Sequence, residues 1–318
     1  MYYIENTIIY LNGEFVKAAD AKTGLYDQSL HYGYAVFEGI RAYKTQTGTQ
    51  IFKAAEHYER LKFSAESILI PYTHATQHLI DVSYEVLAKN NFQDAYLRPL
   101  IFCPPQMRLQ KAETSNIMIA AWDWGKYLGN NLLRVMTSSY QRPNPKGFKI
   151  HAKVSGHYVN SILACQEAKD NGYDEALLLD AGEFVAEGPG ANIFYEKEGK
   201  LYTPPVNNIL PGITRATVIE ICNELDIPVE EKFFTVDELK KADTVFFCGT
   251  ASEVIGWESL DDVKFEKPWD KSLSKVIQDA YKCKVTNPGP SNSSGGGEPG
   301  TSTPKKEMQM GREISETL

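Results

Sequence analysis

The 318-residue chain lacks long apolar runs: no stretch of about 18 or more apolar residues occurs, so no membrane span is expected. It lacks a basic surplus. Asp and Glu number 41 against 33 Lys and Arg, a net charge of −8, and nucleic-acid binders carry basic patches, so no nucleic-acid partner is expected. It lacks paired cysteines. The five, Cys103, Cys165, Cys222, Cys248 and Cys283, form no CxxC spacing, which points to free thiols in a cytoplasmic protein. The N-terminus, Met1-Tyr2-Tyr3-Ile4-Glu5-Asn6, has no basic stretch followed by an apolar one, so it does not read as a signal peptide. P-loop, GxSxG and GxGxxG strings are missing. His74 and His78 have the i,i+4 spacing of a shared helix face, but no Glu or Cys is suitably spaced beside them. They read as a surface pair, and no metal is expected.

What is present is ordinary globular material, 42% hydrophobic and 23% charged, long enough for two domains. Ile8-Ile9-Tyr10-Leu11, Asn12-Gly13 and Glu14-Phe15-Val16 read as two strands on a tight turn. Val36 to Tyr43 and Gln50 to Phe52 read as another pair around Gly48, and Glu56–Ile68 and Ala75–Asn90 as helices. Ala95–Phe102 and Asn116–Ala121 read as further strands. Glu175–Asp180 with Glu183–Val185, and Ala191–Tyr195 with Lys200–Tyr202, read as hairpins, and Thr244–Cys248 as a buried strand. The fold class is α+β. Boundaries follow composition: a small domain over 1–124, an interdomain loop at 125–131, a larger domain over 132–285, and a Pro/Gly/Ser tail over 286–318 expected to be disordered.

One pairing carries chemistry. Lys153 stands in Ala152-Lys153-Val154-Ser155-Gly156-His157-Tyr158, where small residues leave room for a flat ring, and Glu187 follows in Val185-Ala186-Glu187-Gly188. A lysine amine forms a Schiff base with an aldehyde. A carboxylate facing a ring nitrogen keeps that nitrogen protonated. Pyridoxal phosphate (PLP) asks both of a protein. A surface lysine and a hairpin-end acid facing water are the ordinary alternatives. Leu210-Pro211-Gly212-Ile213-Thr214-Arg215 opens a helix whose free N–H groups suit a phosphate, unless Thr214 is only an N-cap. Gly249-Thr250-Ala251-Ser252 offers successive backbone amides as an anion nest.

Further strings join these: His31-Tyr32-Gly33, Phe37-Glu38-Gly39-Ile40-Arg41, Glu56-His57 with Arg60-Leu61, Tyr96-Leu97-Arg98-Pro99-Leu100, and Asn192 after Glu187. Together, over roughly residues 5–282, they resemble the class IV (fold-type IV) PLP-dependent aminotransferases. Within that group the chain is similar to the bacterial branched-chain amino acid aminotransferases. The resemblance implies an N-terminal α/β sandwich, a C-terminal pseudo-barrel with helices that binds PLP, and a homodimer or larger assembly. It implies that Lys153 is the catalytic lysine and proton shuttle. Glu187 would face the pyridine nitrogen and Tyr158 the phenolic oxygen. Arg60, the amides of Ile213 and Thr214, and Thr250 would hold the phosphate. Thr250 and Ala251 would take the substrate α-carboxylate. Tyr32, Phe37, Tyr96 and Trp124 would line the side-chain pocket, and Arg98 would take the distal carboxylate of glutamate. The tail and the loop Cys103 to Thr114 depart from the family pattern.

The implied function is reversible transamination of leucine, isoleucine and valine with 2-oxoglutarate. A D-amino acid aminotransferase and an aminodeoxychorismate lyase share the fold and the Lys–Glu pair. A catalytically inactive scaffold with an interaction tail is the reading from another class, and retention of Lys153, Glu187, Arg60 and Tyr158 together counts against it.

Overall fold

The computed structural model describes residues 2–125, 128–129 and 131–287. The expected tail falls, from residue 288 on, outside the described residues. The chain builds two sheets, each from one contiguous stretch, and is α+β.

The first sheet contains β1 (Ile8–Leu11), β2 (Glu14–Lys17), β3 (Ala35–Phe37), β4 (Ile40–Thr45), β5 (Gly48–Ile51), β6 (Ala95–Phe102) and β7 (Asn116–Trp122), in the order β2-β1-β7-β6-β4-β5 with β3 also on β6. The short α1 (Gln28–Tyr32) precedes β3. Alternation along β6 and β7 sorts side chains to two faces. Leu97, Ile101, Ile117 and Ile119 point to one face. There they bury against α2 (Ala54–Ser67) and α3 (Thr76–Lys89), which contribute Tyr58, Leu61, Leu79 and Val86. The opposite face carries Leu100, Phe102, Met118 and Trp122 along an open apolar groove.

Two readings need correction. The run Val36–Tyr43 is not one strand: β3 and β4 lie end to end along β6 and are interrupted at Glu38-Gly39. The interruption lies opposite Pro99, which has no N–H and removes a rung from the ladder. The Glu38 N–H still donates to the Pro99 carbonyl at 2.9 Å. His74 and His78 do not share a helix face, because α3 starts only at Thr76. His74 packs on Tyr72, and His78 Nε2 meets the Tyr10 hydroxyl at 3.2 Å. No group of side chains suited to a metal occurs among the described residues.

The second sheet holds β8 (Leu133–Gln141), β9 (Glu175–Leu179), β10 (Val185–Glu187), β11 (Asn192–Lys197), β12 (Lys200–Thr203), β13 (Val229–Glu231), β14 (Thr244–Gly249), β15 (Glu253–Leu260) and β16 (Val263–Lys264). Its order is β10-β9-β8-β15-β14-β11-β12-β13, with β16 on β15. The Val185 N–H donates to the Phe234 carbonyl at 2.9 Å. That bond joins edge strand β10 to the chain just past the other edge, β13, so the sheet curls nearly into a ring around Leu177, Ile193, Phe247 and Trp257. Helix α4 (Tyr158–Asp170) covers β8 and β9. Helices α5 (Ile213–Glu224) and α7 (Leu273–Thr286) cover β14 and β15, and α6 (Val236–Leu239) is a single turn. Tyr43 of β4 enters the core made by α5, α7 and β14, and residues 2–287 hold together as one compact unit.

Candidate active site

Lys153 lies between β8 and α4, and its backbone is pinned from both sides. Its N–H donates to Ser64 Oγ of α2 at 2.9 Å, and its carbonyl accepts from the Phe37 N–H at 3.2 Å. The next turn seats on the chain before β3. Gly156 N–H donates to Gly33 O at 3.1 Å, and a Cβ on Gly33 would lie 2.7 Å from Gly156 Cα. Gly156 therefore serves a close backbone approach rather than the ring clearance read from the sequence. With the main chain held, the side chain reaches into a cleft. Lys153 Nζ donates to the Tyr158 hydroxyl at 2.8 Å and lies 5.1 Å from the centre of the Phe37 ring.

Glu187, at the end of β10, lines the same cleft and is buried, not a hairpin acid in water. One carboxylate oxygen accepts from Asn192 Nδ2 at 2.9 Å, and the Leu210 N–H approaches both oxygens at 3.1 and 3.3 Å. Arg142 Nε lies 2.8 Å from Oε1, off the line of a good hydrogen bond but in close ionic contact. Burial pushes the Glu187 carboxyl above the usual range, and Arg142, the Leu210 amide, Lys153 and Arg215 pull it back only in part. Arg142 and the clamp role of Asn192 were not read from the sequence. An arginine before a proline, as in Gln141-Arg142-Pro143, carries no signal of its own.

The third wall is the start of α5. Its N-cap is Gly212, and no side chain caps it. A Thr214 cap does not form, and the first-turn amides face the cleft at the positive end of the helix dipole. A Cβ at Gly212 would lie 1.9 Å from Asn192 Oδ1, so the Asn192 amide that clamps Glu187 also requires glycine here. Thr250 lines the cleft, whereas Ala251 lines neighbouring cavities. Arg60 borders the cleft too, held on three atoms. Its Nε and Nη2 donate to Glu38 at 2.6 and 2.9 Å, and its Nη1 donates to Pro211 O at 3.0 Å. Glu38 is fully buried and also accepts from His57 Nδ1 at 2.8 Å. Burial opposes its charge, but Arg60 and His57 more than offset this and hold its carboxyl far below the usual range.

The proposed side-chain residues gather beside Phe37, with one exception. The Phe37 ring meets Tyr158 edge-on at 4.8 Å, and the Arg98 guanidinium sits over Phe37, Tyr96 and Trp122 at 4.6, 5.4 and 5.7 Å. Trp124 packs edge-on against Tyr96 at 4.6 Å. Arg98 Nε is buried without a partner, and among the described residues no carboxylate forms an ion pair with Arg98. Tyr32 stands apart: it is exposed, and its hydroxyl donates to Met107 O at 3.1 Å.

An amine, a buried acid and an uncapped helix N-terminus around one cleft fit an aldehyde-bearing pyridine with a phosphate arm. Comparison with known proteins agrees. The model of the family "Amino-transferase class IV" matches residues 35–260. The chain is 37% identical over 286 residues to the branched-chain-amino-acid aminotransferase of Salmonella typhimurium, covering 86% of this chain and 91% of that protein. The crystal structure of the Escherichia coli branched-chain amino acid aminotransferase superposes with a TM-score of 0.86 at 36% identity, over 91% of this chain and 98% of that one. The branched-chain amino acid aminotransferase of Thermobaculum terrenum, in its PLP form, superposes with a TM-score of 0.83 at 30% identity, over 89% of this chain and 95% of that one.

Proposed function

The chain belongs to the class IV aminotransferases, and we propose that it exchanges amino groups between branched-chain L-amino acids and 2-oxoglutarate. It is a PLP-dependent enzyme of fold-type IV. PLP supplies an aldehyde that takes up amino groups and a ring that accepts the electrons freed when a substrate α-carbon loses its proton. The protein's own groups do the rest. Lys153 Nζ holds the aldehyde and carries the proton to and from the α-carbon. Its bond to the Tyr158 hydroxyl orients it, and Tyr158 is placed for the phenolic oxygen. Glu187, in the same cleft, would face the ring nitrogen. Arg60, the amides of Ile213 and Thr214, and Thr250 take the phosphate, and Thr250 with Ala251 takes the α-carboxylate.

The observation that best supports the substrate pair is Arg98. A cation ringed by aromatic faces and lacking an acidic partner offers apolar surface to leucine, isoleucine and valine and a counter-charge to glutamate. We assign Phe37, Tyr96 and Trp124 to that wall. Tyr32 lies on the exposed side, and we place it in the pocket only within a homodimer. The apolar groove on the open face of the first sheet, about 540 Å³, supports such pairing. We also keep the division into domains at 1–124 and 132–285, which the separate origin of the two sheets favours, and a cytoplasmic location. No described helix is long and apolar enough to cross a membrane.

A screen of purified protein with L- and D-amino acids against 2-oxoglutarate tests the function. L-leucine, L-isoleucine and L-valine should yield glutamate. Turnover of D-amino acids alone would favour the D-specific relatives, and a lyase would transfer no amino group.

A further inference from the structure

We propose that Arg142 is a positioning residue for this chemistry: it holds Glu187 as an aimed carboxylate, so that the acid is ionised when it meets the cofactor. The inference rests on the transaminase reading of the cleft.

Arg142 is the first residue after β8, and its backbone is tied down. The Arg142 N–H donates to Leu179 O at 2.8 Å, at the end of β9. Strand β9 pairs with β10, which carries Glu187. Acid and base are therefore fixed on one piece of sheet. Arg142 Nε stands 2.8 Å from Glu187 Oε1, with the side chains only 9% and 6% exposed. Among the described residues no other cation pairs with Glu187. The remaining charged or titratable groups act at longer range: Lys153, Arg215 of α5 and Cys248 of β14 around the acid, and His157 facing Arg142.

The other donors to Glu187, Asn192 Nδ2 and the Leu210 N–H, are neutral. They orient the carboxyl group but bring no full charge. A carboxyl buried this deeply resists ionisation, and a cation in contact opposes that resistance. A cation beside the acid also favours the carboxylate form, which a protonated ring nitrogen would face. Arg142 reaches neither substrate nor reacting atoms to do this; it acts through Glu187.

The test uses R142Q, R142M and R142K beside the wild type. In cofactor-free protein, the Glu187 titration is followed by infrared difference spectroscopy, with E187Q assigning the protonated-carboxyl band. The midpoint should move up by about 1–3 pH units in R142Q and R142M, and less in R142K, which keeps the charge. In the PLP-loaded enzyme, kcat should fall in the same order while cofactor affinity changes little. An unchanged midpoint in R142Q and R142M would overturn the proposal. So would R142K moving as far as R142M, because packing rather than charge would then be the role. The titration needs no turnover, so it stands or falls apart from the transaminase assignment.

Discussion

The two ends of the site, the cleft around Glu187 and the ring cluster around Arg98 beside Lys153 and Phe37, are built on opposite plans. At the Glu187 end, the acid is already met by three groups. Asn192 and the Leu210 amide donate to it, and Arg142 neutralises it. At the Arg98 end, a guanidinium rests on three aromatic rings with a buried Nε that has no partner. An acid held by two hydrogen bonds and a cation in contact is rigid and presents one constant chemistry. A cation caged by rings, without its anion, tolerates an apolar guest and rewards an anionic one. On the proposed reading, a fixed cofactor end stands beside a permissive substrate end.

Lys153 stands between the two ends, and K153A is the change with the largest expected effect. Turnover should fall by about 10³-fold or more, and borohydride should fix no cofactor to the chain. Covalent fixation on another lysine would overturn the assignment. E187Q comes next. It keeps the shape of the fixed end but removes its charge, so kcat should drop about 10²-fold with PLP still bound. A near-normal kcat would remove the fixed end from the chemistry.

R98A probes the permissive end. The glutamate half-reaction should lose about 10–100-fold in kcat/KM, the worth of a charge-assisted pair, while leucine changes little. Equal losses for both substrates would erase the contrast between the two ends.

The smallest effect is expected with pH. Burial first, and Arg142 second, push His157 down to about 4. The folded protein takes up this proton less readily than the unfolded chain, whose histidine titrates near its ordinary value of about 6.5. Stability should therefore be lost as pH falls from about 6.5 to 4. H157Q should flatten that part of a curve of unfolding free energy against pH. A slope unaltered by H157Q would place the acid sensitivity elsewhere, with buried His57, also pushed down by burial, as the next candidate.

Much of the fold was legible because it rests on local patterns. Short apolar runs found β6, β7 and β14, and three-to-four periodicity found α2 and α3 to within two residues. The hairpin of β9 and β10 followed from its turn residues. Strand β15 and helix α7 went unread, since their apolar residues match surfaces supplied from elsewhere in the chain. The break at Glu38-Gly39 had a visible cause in Pro99, but only the pairing of β3, β4 and β6 shows that the two face each other.

The candidate site divides in the same way. Lys153, Glu187, the α5 start and the Gly249-Thr250 turn were named from residue chemistry and from strings resembling a family. Their gathering around one cleft is a tertiary result. So is the pairing of Glu38 with Arg60 and His57, three residues whose sequence spacing says nothing about a buried ion pair.

By itself the sequence determined which groups are available: one lysine beside small residues, one acid before glycines, one glycine-led helix start with free N–H groups. Backbone preference and side-chain chemistry are local, so they are written residue by residue. Only the tertiary structure decided the state of those groups. Whether Glu187 is charged, whether Arg98 is left without an anion, and where Lys153 points depend on Arg142, on three aromatic rings, and on Ser64 and Phe37. Those partners come from strands and helices far apart in the chain, and burial makes their contacts strong by excluding the water that would otherwise screen them.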